Sequence, residues 1–364
     1  MRVVTIATFL LALLPFAAAG AAPHRHVFHG SSSSAPAQTV ESINAAAPQG
    51  AVSDRALIVK IEVLLDRDGF SPGEIDGKNG DNFRKALAGF QQAKNLRASG
   101  KLDADTWYAL LSENTDPPLT SYTISESDVA GPFSKHIPSD LERKSELQGL
   151  SYNSPQEELA ERFHMSQHLL RQINPHARFD QTGENIVVAN VEPMALHDSQ
   201  DTVKAVPPRK QSRKDASVAT IVVEKASRDV RAYDKDGKLL RFYPATIGSS
   251  EKPAPSGTFE VRRVAYNPDY HYNPKFAWKG VKAKEPLTIK PGPNNPVGLV
   301  WIDLTAPSYG IHGTPEPEKI GKTESHGCIR LTNWDALDLA GLVHKGTVVK
   351  FVEEDTAAGS QAAK

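Results

Sequence analysis

The chain has 364 residues, of which 39% are apolar and 7% aromatic, enough for two or three domains with sizeable cores. A formal net charge of −1 removes any whole-chain electrostatic argument for nucleic acid or an acidic polymer as partner. A single cysteine, Cys328, excludes an internal disulfide framework and leaves that thiol free for chemistry, metal or packing.

Residues 3–19 form an apolar run behind Arg2, interrupted by Pro15 and followed by Ala17, Ala18 and Ala19. The pattern predicts a secretory signal over residues 1–22, because the run is short for a membrane span and small residues follow it. No other stretch is long and apolar enough to cross a bilayer. The mature chain is therefore expected in the periplasm or cell envelope, without a membrane span. Residues 23–52 are rich in Ser and Ala, lack hydrophobic periodicity, and are expected to be a flexible linker. From Asp54, Leu57, Ile61, Leu64 and Leu65 recur at helix spacing. A loop of Gly69, Pro72, Gly73 and Asp76–Gly80 comes next, then helices carrying Phe83, Leu87 and Phe90, and Trp107, Leu110 and Leu111. Asp103 is a plausible cap for the last.

This small helical N-terminal domain, expected over residues 53–115, resembles the helical peptidoglycan-binding domain. The match rests on Ile75-Asp76-Gly77, Ala86-Leu87-x-x-Phe90-Gln91 and Gly100-x-Leu102-Asp103-x-x-Thr106-Trp107, in that order. Phe90 and Trp107 are expected to be packed, so glycan binding comes from the resemblance alone. Residues 116–150, with Pro117, Pro118, Pro132 and Pro138, read as an ordered connector. Over residues 151–192, Ser154-Pro155-Gln156-Glu157 starts a helix, and Leu169-Leu170-x-x-Ile173-Asn174-Pro175 ends a second. A turn at Gly183 then leads to a strand through Ile186 and Val188. This βααβ pattern resembles a LysM glycan-binding module, without the usual opening Gly-Asp-Thr. Glycan binding and a purely structural insert both remain open. Residues 193–217 contain Pro207-Pro208 and a basic cluster and read as a solvated linker, which implies that the region from Val218 onward could fold alone.

Residues 218–353 change texture. Short β-rich runs at 219–224, 230–233, 239–243, 245–247, 258–264, 299–304, 309–312 and 348–352 surround one helix at 333–343, with Asn333 and Asp335 read as its caps. The whole is multidomain α+β, ending in a mainly β domain with face-to-face strands and a disordered tail at 354–364. Cys328 sits in Ser325-His326-Gly327-Cys328-Ile329-Arg330-Leu331, with fifteen residues between it and the His312 of His312-Gly313-Thr314. An imidazole can take the thiol proton, and Gly327 lets backbone amides approach a substrate carbonyl, which points to cysteine-based acyl transfer.

These motifs, with Pro253-x-Pro255-x-Gly257-x-Phe259 and Asn295-Pro296-x-Gly298, resemble the signature of the YkuD-type L,D-transpeptidases. Ala254 departs slightly from the family pattern, which often has Thr there. The resemblance implies a β-sandwich in which Cys328 attacks the meso-diaminopimelate carbonyl of a tetrapeptide stem and releases D-Ala. An amine then takes the acyl group, giving a 3→3 cross-link or a protein attached to the wall. It implies His312 as general base oriented by a carbonyl near Gly313, and the Gly327 and Cys328 amides as oxyanion donors. The partners implied are peptidoglycan stems and glycan strands and a wall-anchored acceptor protein, with no cofactor, no metal and no nucleic acid.

The residues alone leave His326 open as the base, since it shares a strand face with Cys328. Arg330 is a candidate for a substrate carboxylate or for a structural ion pair. Ser325, Asn295 and Tyr266 are further substrate-binding candidates, Ser325 having a loop-amide alternative. Tyr266, Tyr270, His271, Tyr272 and Trp278 read as a loop over the cleft. A zinc site of His312, His326 and Cys328, a hydrolytic L,D-carboxypeptidase or endopeptidase, and a non-catalytic wall-binding protein are the competing readings.

Overall fold

The computed structural model describes residues 40–48, 54–112, 114–194, 217–276, 283–325 and 327–353. The signal, most of the first linker, the 195–216 linker, Trp278, His326 and the C-terminal tail lie outside these residues. Among the described residues no helix is long and apolar enough to cross a membrane.

The first element corrects the expectation of a linker reaching residue 52. Helix α1 (Val40–Ala45) buries Ile43 completely. Helices α2 (Arg55–Arg67), α3 (Asp81–Ala93) and α4 (Ala104–Ser112) lie where apolar spacing placed them. The Asp54 side chain accepts from the Ala56 amide at the start of α2, and Asp103 accepts from Thr106 N–H at 2.8 Å before α4. Phe90 is fully buried, whereas Trp107 is only half-buried, with Lys60 Nζ 5.5 Å from its ring centroid.

Strand β1 (Leu119–Thr123) lies inside the segment read as a connector, before α5 (Glu126–Ala130) and α6 (Leu141–Ser145). Helices α7 (Pro155–Arg162) and α8 (Gln167–Ile173) then lead to β2 (Asn185–Ala189). Strand β1 pairs antiparallel with β2, Ser121 opposite Val187, so the opening strand of the βααβ unit is Leu119–Thr123, upstream of the expected 151–192 span. Ser154 caps α7 by accepting from the Glu157 amide.

The catalytic-type region contributes β3 (Thr220–Glu224), β4 (Asp229–Tyr233), β5 (Leu239–Pro244), β6 (Thr246–Ile247), β7 (Gly257–Tyr266), β8 (Tyr270–Tyr272) and β9 (Leu287–Ile289). It continues with β10 (Val300–Leu304), β11 (Gly310–His312), β12 (Ile329–Arg330), α9 (Asn333–Leu342) and β13 (Val348–Val352). Nine strands join in the order β5-β4-β3-β13-β7-β10-β11-β12-β6, with β8 and β9 a separate pair. The long β7 connects the halves, pairing with β13 through Thr258 and with β10 through Val264. Ile221 and Val230 from one half, Ile302 and Ile311 from the other, and Ala336 and Leu339 of α9 share one core, so the halves enclose apolar side chains as a sandwich does.

The upstream segments are not beads on a string. One core cluster runs from Ile43 through Leu64 and Phe90 to Leu169 and Ile186, and then takes in Leu239 and Phe242 of β5. The exposed edge of the sheet is closed by the helical domain: Phe242 N–H donates to Gly69 O at 3.0 Å, and Phe242 O accepts from Ser71 N–H at 2.9 Å. Ser71 Oγ donates to Asp335 Oδ2 at 2.9 Å, and Asn82 Nδ2 donates to Ile320 O at 2.9 Å. Ile75 ties the helical domain to the βααβ unit, its N–H donating to His164 O and its carbonyl accepting from Ser166 N–H.

Candidate active site

The site is built where β11 and β12 run parallel, Ile311 opposite Ile329 and His312 opposite Arg330. Parallel register carries residues two apart on one strand toward residues two apart on the other, so Cys328 approaches Gly310 just before the pairing begins. The Cys328 sulfur accepts a hydrogen bond from the Gly310 amide, and its thiol points to Ser308 O at 3.9 Å. Ser308 sits in the left-handed region, at φ 68°, in the tight turn between β10 and β11. That turn aims a carbonyl and an amide at one sulfur.

Burial pushes the Cys328 thiol up, opposed in part by the Gly310 hydrogen bond and the Arg330 charge. His312 is buried and its Nδ1–H donates to Gly313 O at 2.7 Å, which leaves Nε2 with its lone pair. Burial and the Arg330 charge hold the imidazole down at about 3, against the Gly313 bond, so it is neutral at any ordinary pH. The indole of Trp301 stacks on the ring, centroids 5.4 Å apart at 19°, and fixes its plane. Thiol and imidazole are thus both neutral at rest.

The Cys328 loop is held from within. Ser325 is buried, donates through Oγ to Cys328 O at 2.6 Å, and accepts from the Gly327 amide at 3.3 Å. Its hydroxyl serves the loop on both sides, which favours the loop-amide alternative over substrate contact. Gly327 has φ 108°, and a Cβ there would lie 3.0 Å from the Tyr309 ring edge, so glycine is required twice over. The Gly327 amide is engaged by Ser325, which corrects its expected place as a free oxyanion donor. Among the described residues the Cys328 amide has no partner.

Arg330 lies near the same thiol, with Cys328, Glu316 and Tyr270 as its electrostatic neighbours. Among the described residues no carboxylate pairs with it at ion-pair distance, against the structural ion-pair alternative. Tyr270 contributes from β8, its hydroxyl pushed up to about 12, first by burial and then by the Cys328 charge. Tyr266, half-buried at the end of β7, pairs with Val300. Asn295 is a correction: its Nδ2 donates to Lys290 O at 2.8 Å, its Oδ1 accepts from Val297 N–H at 2.9 Å, and it is completely buried. It folds the loop and has no surface left for substrate. Asn333 and Asp335 are not the caps expected: Thr332 caps α9, accepting from the Asp335 amide at 3.2 Å. Sequence reasoning missed Ser308, Tyr309, Gly310 and Trp301, which act through a backbone turn and a stacking face that carry no motif. His326 lies outside the described residues.

A family model of the L,D-transpeptidase catalytic domain matches residues 219–351, and one of a putative peptidoglycan binding domain matches residues 54–110. The chain is 33% identical over 131 residues to the putative L,D-transpeptidase YkuD of Bacillus licheniformis, covering 36% of this chain and 64% of that protein. It is 31% identical over 140 residues to the putative L,D-transpeptidase YqjB of Bacillus subtilis, covering 37% and 72%. With the probable L,D-transpeptidase YbiS of Escherichia coli it shares 33% identity, covering 39% and 47%. The chain thus spans less than two thirds of the B. licheniformis relative's length. Among solved structures, L,D-transpeptidase 3 of Mycobacterium tuberculosis aligns at 19% identity and TM-score 0.32, covering 38% of this chain and 62% of that one.

Proposed function

The chain belongs to the YkuD family of L,D-transpeptidases, and from that premise we propose that it is a cysteine acyltransferase acting on peptidoglycan stems in the periplasm or cell envelope. The single observation that carries this is the pairing of strands β11 and β12, which sets Cys328, its sulfur hydrogen-bonded, two register positions from His312, whose Nδ1 is occupied and whose Nε2 is available.

Cys328 Sγ attacks the carbonyl of the third stem residue, meso-diaminopimelate. The thiol proton passes to His312 Nε2 as the S–C bond forms, since the raised thiol and lowered imidazole disfavour an ion pair at rest. The carbonyl oxygen takes the developing charge and accepts from the Cys328 amide. Collapse breaks the C–N bond, and His312 returns the proton to the D-Ala amine. An acceptor amine, from a second stem or a protein, then displaces sulfur, the acceptor's proton passing through His312 to the thiolate. Arg330 meets a stem carboxylate and is neutralised by it; because the Arg330 charge opposes imidazolium, donor binding itself raises the basicity of His312. The helical domain and the LysM-like unit hold the wall polymer, raising the local concentration of stems.

Incubation of the full chain with purified tetrapeptide muropeptides, and mass spectrometry of the products, tests the proposal. Cross-linked dimers that disappear in Cys328→Ala support it. Tripeptide and free D-Ala without dimers would make water the acceptor, and an unchanged pool would end the enzymatic reading.

A further inference from the structure

Asn333 stands in the first turn of α9, completely buried. Its Oδ1 accepts from Leu299 N–H at 3.1 Å and is wedged between two glycines: a Cβ on Gly298 would lie 2.0 Å from it, and one on Gly313 2.2 Å. Gly313 is the residue whose carbonyl receives His312 Nδ1–H. At its other end, Asn333 Nδ2 donates to Pro293 O at 3.2 Å and to Glu161 Oε2 at 2.9 Å. Glu161 belongs to α7 in the βααβ unit, 172 positions upstream.

We propose that Glu161 is a positioning residue for the catalytic base, acting through Asn333 and Gly313, so that the upstream βααβ unit completes the geometry of the active site. An amide side chain has one accepting and one donating end, and only its partners decide which end points where. The acceptor at Glu161 commits Nδ2 outward and therefore Oδ1 toward Leu299 and the two glycines. Reversal would set NH2 hydrogens against the Leu299 N–H and against backbone that leaves no room for them. The Gly313 backbone would shift, and with it the carbonyl that fixes the tautomer and ring direction of His312. Burial holds the Glu161 carboxyl up at about 8, with Glu157 and Glu74 adding to the rise and Asn333 and Tyr152 opposing it. The group is therefore a neutral acid at neutral pH, presenting a carbonyl-type acceptor to Asn333 without an unpaired buried charge. The proposal rests on His312 being the base.

Two variants of the full chain separate this from a merely structural contact. Glu161→Gln keeps a carbonyl at the same distance along the side chain, whereas Glu161→Leu fills the space and removes the acceptor. Single-turnover acylation of Cys328 by tetrapeptide is measured against donor concentration, with folding checked by circular dichroism. Glu161→Leu is expected to lower the saturating rate about tenfold or more, half-saturation moving less than about twofold, because misplacing a catalytic group by a fraction of an ångström costs rate before binding. Glu161→Gln is expected within about threefold of the parent, since its carbonyl restores the same hydrogen bond. Parental rates in Glu161→Leu, with His312→Ala slow, would overturn the proposal and leave the base assignment standing. Equal losses in both Glu161 variants would also overturn it, because the Asn333 acceptor would then be irrelevant. Parental rates in His312→Ala would remove the base assignment itself and the proposal with it. If Glu161→Leu does not fold, Glu161→Met, judged by the same outcomes, takes its place.

Discussion

Phe242→Ala discriminates between a tethered catalytic domain and one fused to its helical neighbour. Phe242 is 1% exposed although it lies on the edge strand β5 of the nine-stranded sheet. Its ring packs on Gly89 of α3, where an added Cβ would sit 3.1 Å from it, and its backbone is bonded to Gly69 and Ser71. On a free edge strand, truncation of the side chain would cost less than about 1 kcal/mol. In the packed seam it should cost about 3–5 kcal/mol, the transfer loss plus the cavity that α3 and β5 cannot close. That is a large part of a typical total stability of about 5–15 kcal/mol. Calorimetry of the full chain is the assay: a single cooperative transition is expected for the parent, moving down by several degrees in Phe242→Ala. Two well-separated transitions in the parent, with Phe242→Ala shifting only one by less than about 1 kcal/mol, would refute the fused core.

Two predictions concern the site. Cys328 is the sole thiol, so iodoacetamide reports on it alone. With the thiol raised and His312 held neutral down to about 3, alkylation should climb steadily through neutral pH toward alkaline pH. A rate plateau between about pH 5 and 7, the mark of a thiolate–imidazolium pair, would contradict the neutral resting state. Gly327→Ala should lower acylation by at least about tenfold, because at φ 108° its methyl meets Tyr309 and swings the Cys328 amide away from the oxyanion. Parental kinetics in that variant would show that the loop geometry is not needed.

The parts of the molecule that were legible in sequence are those in which chemistry or periodicity is local. Helices α2, α3 and α4 arise from apolar spacing, with acidic caps on α2 and α4, and the hairpin between β4 and β5 from Asp234–Gly237, where Gly237 takes φ 78°. The Cys328 and His312 motifs stand in plain view because a lone thiol, an imidazole and their glycines fall together in short runs of sequence beside two short strands. What escaped was set by partners far away in the chain. Strand β12 has two residues and exists only because β11 and β6 flank it, and α1 is fixed by Ile43 entering a core supplied by other elements. Asn295 was legible as a motif and substrate-binding candidate and Asn333 as a helix cap, but neither as a backbone clamp, since an amide's partners are chosen by the fold.

The separation into tethered modules was the deeper misreading, and its cause is physical. Leu239-Leu240-Arg241-Phe242-Tyr243 is apolar on both faces, as a strand covered on both sides must be, yet in sequence it reads simply as a good strand. Leu240 and Tyr243 enter the catalytic core, while Leu239 and Phe242 enter the core of the helical domain. A strand buried in two directions requires a partner on its second face, and residues 195–216 between the regions do not change that requirement. The same seam carries Ser71 to Asp335 and Glu161 to Asn333, both on the first turn of α9, directly after the strand that begins beside Cys328. If the proposed roles hold, a wall-binding region built into that seam would do more than concentrate substrate: Ser71 and Glu161 bond to the first turn of α9, whose Asn333 abuts Gly313, the residue that receives His312 Nδ1–H.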